Sequence, residues 1–128
     1  MPLYTIMTQR NSLDLATKAT LAERLTNLHS ESSGVPIEWV HIVFQDFEPG
    51  NGFSAGVPAP TVTMMANIRS GRTSEYKRDL LASIWKLLQA ATNAPDDQIV
   101  IGLLEADPSN AMEMGKIMPD VARATDVG

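Results

Sequence analysis

The chain repeats itself at a spacing of 59 residues. Arg10 matches Arg69 and Lys18 matches Lys77, while Leu21, Leu25 and Leu28 match Leu80, Ile84 and Leu87. Pro36, Val40 and Ile42 match Pro95, Ile99 and Ile101; Asp46, Pro49 and Asn51 match Glu105, Pro108 and Asn110. Conservative matches at one offset, without gaps, do not arise readily by chance. They predict a duplicated unit, residues 2–51 and again 60–110, within a single domain covering 1–128. Two copies are too few for a solenoid, so the two units must bury their apolar faces against each other.

Each unit reads β-α-β. Alternating runs rich in β-branched and apolar residues come first, at Leu3–Thr8 and Thr61–Ile68. Leu21, Leu25 and Leu28 then form an apolar stripe at helical spacing, as do Tyr76, Leu80, Ile84, Leu87 and Ala91. Ser12 is placed to cap the first helix and Thr73 or Ser74 the second, with Gly34 and Asn93 as stops. Second strands are predicted at Ile37–Gln45 and Ile99–Leu104. A β-α-β unit implies parallel pairing through a right-handed crossover. The expectation is an α/β (α+β) fold: tandem β-α-β units forming a four-stranded sheet with both helices on one face. Two helices cannot cover both faces of that sheet, so an oligomer is expected. Gly50, Asn51, Gly52 and Gly56 mark a turn or small hairpin within Asp46–Pro60. The tail from Ala106 is less regular, and its end, Ala122–Gly128, reads as mobile.

Composition narrows the chemistry. The 128 residues carry 15 acidic and 10 basic side chains, a net charge of −5, with no basic cluster, which argues against nucleic acid as a partner. No apolar run approaches the roughly 20 residues of a membrane helix, so no membrane partner is expected. No secretory leader is visible, and the expected compartment is the cytoplasm. There is no cysteine, which removes disulfides and thiolate chemistry, and only two histidines, His29 and His41, are available for metal. The expected cofactor is none.

Pro2 follows Met1 directly. Loss of the initiator methionine would make Pro2 the N-terminus, with a free secondary amine that internal prolines lack. Such an amine titrates at roughly 8 and moves with burial and neighbouring charge, so it suits an acid, a base or a nucleophile near neutral pH. Arg69 and Arg72 fall between a predicted strand and helix; they fit a two-pronged grip on a carboxylate, or equally two solvated loop residues. His29 falls in the last turn of the first helix, where a protonated imidazole is favoured and a surface cap is the plain reading. His41, between Val40 and Ile42, reads as a structural strand residue. Glu113 stands in a Met-rich segment, where a solvated face is the plain reading.

In order and spacing, several segments resemble the tautomerase superfamily, most closely the cis-3-chloroacrylic acid dehalogenase group. These are Pro2-Leu3-Tyr4, Leu25-Thr26-Asn27-Leu28-His29, Val43-Phe44-Gln45-Asp46, Gly50-Asn51 with Phe53 and Gly56-Val57, Arg69-Ser70-Gly71-Arg72, and Met112-Glu113-Met114-Gly115 with Pro119. The surroundings of Ala94-Pro95 and Ile99–Glu105 also resemble 4-oxalocrotonate tautomerase. The resemblance covers about residues 2–119. It implies a homotrimer that works without metal or organic cofactor on a small carboxylate substrate. It assigns catalysis to Pro2 and Glu113, with Glu113 positioning a water, and substrate binding to His29, Arg69 and Arg72. A tyrosine that helps activate the water in the dehalogenase aligns here with Gly102. The implied activity is proline-dependent tautomerisation of small enol or unsaturated carboxylic acids, with weak hydration or dehalogenation of cis-3-haloacrylate. The alternatives are a true dehalogenase or hydratase, a β-keto acid decarboxylase, and a trimeric binding or signalling module.

Overall fold

The computed structural model describes residues 1–121. Strand β1 (Leu3–Gln9) turns into helix α1 (Leu15–Ser33), and a 3-10 turn at Ile37–Trp39 precedes β2 (His41–Phe47). A small antiparallel hairpin follows, β3 (Phe53–Ser54) and β4 (Val57–Pro58). The series then recurs as β5 (Val62–Arg69), α2 (Ser74–Thr92), a 3-10 turn at Asp96–Gln98 and β6 (Ile99–Ala106). After a further 3-10 turn, a second hairpin closes the series, β7 (Met112–Glu113) and β8 (Lys116–Ile117).

The four long strands form one sheet in the order β2-β1-β5-β6. β1 runs parallel to β2 and β5 parallel to β6, each pair joined by its helix. The two units meet antiparallel at the centre, where Leu3 faces Asn67 and Met7 faces Thr63. This is the expected two-helix α+β architecture. Period-2 alternation sends Tyr4, Ile6, Met64, Ala66 and Ile68 to the helical side. There they meet Leu21 and Leu25 of α1 and Leu80, Ile84 and Leu88 of α2. Each buried Leu, Ile or Met side chain contributes roughly 1.5–3 kcal/mol by leaving water. The other face leaves Leu3, Met7, Val43, Val100 and Leu104 exposed. Among the described residues, no helix is long and apolar enough to cross a membrane.

Local chemistry moves several predicted boundaries. Asp14, not Ser12, caps α1, its Oδ1 accepting from Thr17 N at 2.7 Å; the helix starts later because Ser12 still belongs to the turn leaving β1. Thr73 caps α2, its Oγ1 accepting from Tyr76 N at 3.0 Å. Gly34 and Asn93 end the helices in the left-handed conformation, as their types predict. The strand expected from Ile37 begins only at His41, because Trp39 N and Val40 N bond back to Pro36 and Ile37 and close a turn. In α2 the stripe is completed by Leu88, with Leu87 only partly buried. The predicted mobile end, Ala122–Gly128, lies outside the described residues.

Candidate active site

Antiparallel pairing of β1 with β5 brings the start of the chain to the end of β5. Pro2 is buried there, and its carbonyl accepts from His41 N at 3.1 Å. Arg69 is the last residue of β5, and Arg72 immediately precedes the α2 cap. Gly71 between them has φ +114°, and a Cβ on it would stand 3.2 Å from the Val121 carbonyl oxygen. Only glycine takes that backbone conformation freely while the tail passes so close.

Arg69 is 4% exposed. Its Nη1 donates to the Pro119 carbonyl at 2.6 Å, which ties the C-terminal segment to the site, and its Cζ lies 5.4 Å from the Trp39 ring centroid. Burial first, then the Arg72 charge, lower its pKa. Arg69 Nη2 is buried without a hydrogen-bond partner among the described residues. Arg72 lies over the Tyr76 ring, 5.0 Å from its centroid, and Tyr76 Oη is likewise buried and unpartnered among the described residues. Neither arginine forms an ion pair among the described residues. A buried guanidinium with one nitrogen unpartnered, beside a buried unpartnered hydroxyl, is costly unless a ligand completes them.

His29 is not the surface cap that its place near the helix end suggests. α1 runs on to Ser33, and His29 is 4% exposed, its Nδ1 2.6 Å from Tyr4 Oη. Burial first, then the charges of Arg72, the terminal amine and Arg69, push the imidazole down to about 3. A neutral ring next to a buried phenol has one satisfying arrangement: Tyr4 donates to Nδ1, and Nε2 keeps its hydrogen. His29 is therefore an uncharged donor at neutral pH.

This burial predicts acid lability. The unfolded chain takes up a proton at His29 below its ordinary pKa of 6.5, whereas the folded chain does so only near 3, so stability is lost as pH falls through that window. The slope from this group reaches about 1.4 kcal/mol per pH unit. Urea midpoints should therefore fall between pH 6.5 and about 4.5, above the ordinary carboxylate range. His29→Gln should flatten that fall, and an equally steep fall in the variant would assign the lability elsewhere.

Met1, His29, Arg69, Arg72 and Tyr76, with Val35 and Ile68, enclose a cavity of only about 10 Å³, about one water's worth. On its other side Met1 borders an open groove of about 710 Å³, with Leu3, Val43, Met112 and Met114 among its walls. Met1 thus stands between a polar cavity and an apolar groove. Its amine contacts Glu113 Oε2 and lies 3.7 Å from Met118 Sδ. Burial first, then Arg69, lower that amine from 8.0 to about 6. Pro2 N is three bonds from this amine. Among the described residues, no cluster of His, Cys, Asp or Glu side chains could hold a metal ion.

The structure therefore gathers Pro2, His29, Arg69, Arg72 and Glu113 at one end of the sheet. It also brings in two groups that sequence reasoning left out. Tyr76 stands four residues after Arg72, in the first turn of α2, but reads as part of an apolar stripe. His41, expected to be structural, is exposed, with Nδ1 3.8 Å from Glu113 Oε1. Gly102 is displaced from the site. It pairs with Met65 on β6, four residues from Ala106, the partner of Arg69. At roughly 3.3 Å per residue, that is about 13 Å away. A side chain at Gly102 would first meet Met65 Cε at 3.0 Å, and within one chain it would not lie beside Glu113.

No curated protein matches the chain. The family profile described as "Putative oxalocrotonate tautomerase enzyme" matches residues 1–126. Among solved structures, N1, a member of the cis-3-chloroacrylic acid dehalogenase (cis-CaaD) family, is 31% identical over 94% of this chain and 85% of its own, with a TM-score of 0.88. Native Ps01740 is 32% identical over 87% of this chain and 99% of its own, with a TM-score of 0.84. Pt0534, solved after inactivation by 2-oxo-3-pentynoate, is 25% identical over 91% of this chain and 94% of its own, with a TM-score of 0.82. With its profile matched over 1–126 and these relatives sharing its fold almost end to end, the chain belongs to the tautomerase superfamily and is a homologue of the cis-3-chloroacrylic acid dehalogenase family.

Proposed function

We propose that this protein is a cytoplasmic, cofactor-independent tautomerase acting on small enol or unsaturated carboxylic acids, with Pro2 as the N-terminal acid–base group. The observation that carries the reading is the position of Met1, which borders both the polar cavity and the apolar groove. Its loss would join the two spaces and present the Pro2 amine at their junction. A carboxylate would then sit on Arg69 and Arg72, and an unsaturated tail would lie along the groove. The neutral Pro2 amine takes the proton from an enol hydroxyl. As the oxygen becomes a carbonyl, the protonated amine returns a proton to the far carbon, and Pro2 is neutral again. The two guanidiniums and the His29 N–H stabilise the charge that develops on oxygen.

Glu113, in contact with the terminal amine, supports a second and slower activity: hydration of cis-3-haloacrylate, with Pro2 as acid and Glu113 holding the water. Gly102 offers no side chain for that water, either within this chain or from a neighbouring copy in the proposed trimer, so that activity is weak. The exposed apolar sheet face supports a homotrimer, for which light scattering should give about three times the 13.9 kDa chain mass. A stable monomer would contradict it. The direct test of the reading compares two preparations distinguished by intact mass. Protein that has lost Met1 should turn over a 2-hydroxy-2-alkenoate, and protein that retains Met1 should not. Equal rates in both would remove the N-terminal amine from the mechanism.

A further inference from the structure

We propose that Tyr76 is a substrate-contacting residue whose hydroxyl donates to the oxygen on C2, next to the carboxylate, and so selects 2-oxo and 2-hydroxy acids over acids lacking that oxygen. This rests on the proposed docking of a carboxylate at Arg69 and Arg72.

Four side chains border the cavity with hydrogen-bond capacity, and they fall into two kinds. Arg69 and Arg72 are cations; His29, held neutral, and Tyr76 are uncharged donors. Arg69 Nη2 and Tyr76 Oη are buried and unpartnered among the described residues. A carboxylate alone satisfies the guanidiniums, since charged donors outcompete neutral ones for it. It leaves the two neutral donors over. An acid with an oxygen on the adjacent carbon supplies what is missing: a carbonyl or enolate oxygen, with lone pairs for both neutral donors.

The placement of Tyr76 fits that division. Its ring is pinned under Arg72, with the guanidinium carbon 5.0 Å from the centroid, so the hydroxyl is carried at a fixed offset from the cation. The Thr73 cap fixes the backbone of the same residue. Two restraints hold a side chain whose terminal oxygen has no internal partner. A ring that served only to support Arg72 would need no buried hydroxyl, and phenylalanine would avoid the cost of desolvating one.

The test uses protein freed of Met1, with 2-oxobutanoate and butanoate as probes that differ at C2 alone. Dissociation constants are measured by NMR titration for the unaltered chain, Tyr76→Phe and Arg72→Ala. Tyr76→Phe keeps the ring and its stacking and removes one oxygen. The unaltered protein should prefer 2-oxobutanoate by about 10-fold. Tyr76→Phe should cut that preference to about 2-fold or less by weakening the oxo acid, leaving butanoate affinity where it was. A preference that survives Tyr76→Phe overturns the proposal. So does equal weakening of both acids, the signature of a purely structural tyrosine, and so does an unaltered protein with no preference. The carboxylate reading fails separately: Arg72→Ala would then leave both affinities unchanged.

Discussion

Pro2→Ala, in protein freed of Met1, lowers kcat/KM for an enol acid by at least about 10²-fold, the usual contribution of a positioned acid–base group. The size follows from placement. Pro2 is buried at the head of β1, a strand paired on both sides, so its nitrogen has little freedom to wander. Burial and Arg69 lower the Met1 amine to about 6, and the same two causes favour a neutral amine on Pro2 once Met1 is gone. A base of that kind is deprotonated in water near neutrality and still strong enough to take an enol proton. Activity should therefore rise with pH through the amine's titration and then level off. Alanine keeps a primary amine and can retain a fraction of the rate, but it lacks the ring that holds the nitrogen at a fixed place on Cα. Steady-state kinetics on variants of verified intact mass and unchanged circular dichroism decide the matter. An unaltered kcat/KM would take Pro2 out of the mechanism.

Arg72→Ala should lower kcat/KM for acidic substrates by about 10²-fold while leaving neutral enols within a few-fold of the unaltered rate. Arg72 is the better of the two arginines for this experiment. Arg69 also holds the Pro119 carbonyl at 2.6 Å, so removing it disturbs the tail as well as the ligand. Arg72 makes only a long 3.5 Å contact with the Ser33 carbonyl and lies on the Tyr76 ring. Its loss therefore reports on the ligand more than on the fold. Equal losses for acids and neutral enols would assign Arg72 a structural part instead.

The features legible in the sequence are those with local causes. Helix stripes, strand alternation and the left-handed stops at Gly34 and Asn93 depend on neighbours within a few residues. The spacing of Arg69 and Arg72 is legible for the same reason. What escaped has distant causes. His29 reads as a surface residue because its partner, Tyr4, stands 25 positions earlier on another element. Glu113 reads as solvated because its partner is the chain's own beginning, 112 residues away by the numbering, brought near by sheet pairing and the tail's bond to Arg69. The hairpin at Met112–Ile117 was masked by a Met-rich composition, although it matches the earlier hairpin at the same offset. Resemblance located Glu113 where composition could not.

The internal duplication also determines how many reaction centres a chain can have. Its two halves repeat each other down to an ion pair: Lys18–Asp46 returns as Lys77–Glu105. The repeat-related counterpart of the candidate site falls around the start of β5, and its residues can be read off at the same offset. Thr61 takes the place of Pro2, Arg10 of Arg69, Leu13 of Arg72 and Leu88 of His29. Leu13 and Leu88 are buried in the apolar core, and Thr61 lies inside a continuous chain with no amine to offer. Joining two half-length units end to end leaves a single free terminus for two geometrically equivalent positions. One position holds the charged and polar set; at the other, Leu13 and Leu88 are buried in the core and Arg10 pairs with Glu48. On the proposed reading there is thus one centre per chain, half the number its own symmetry would allow.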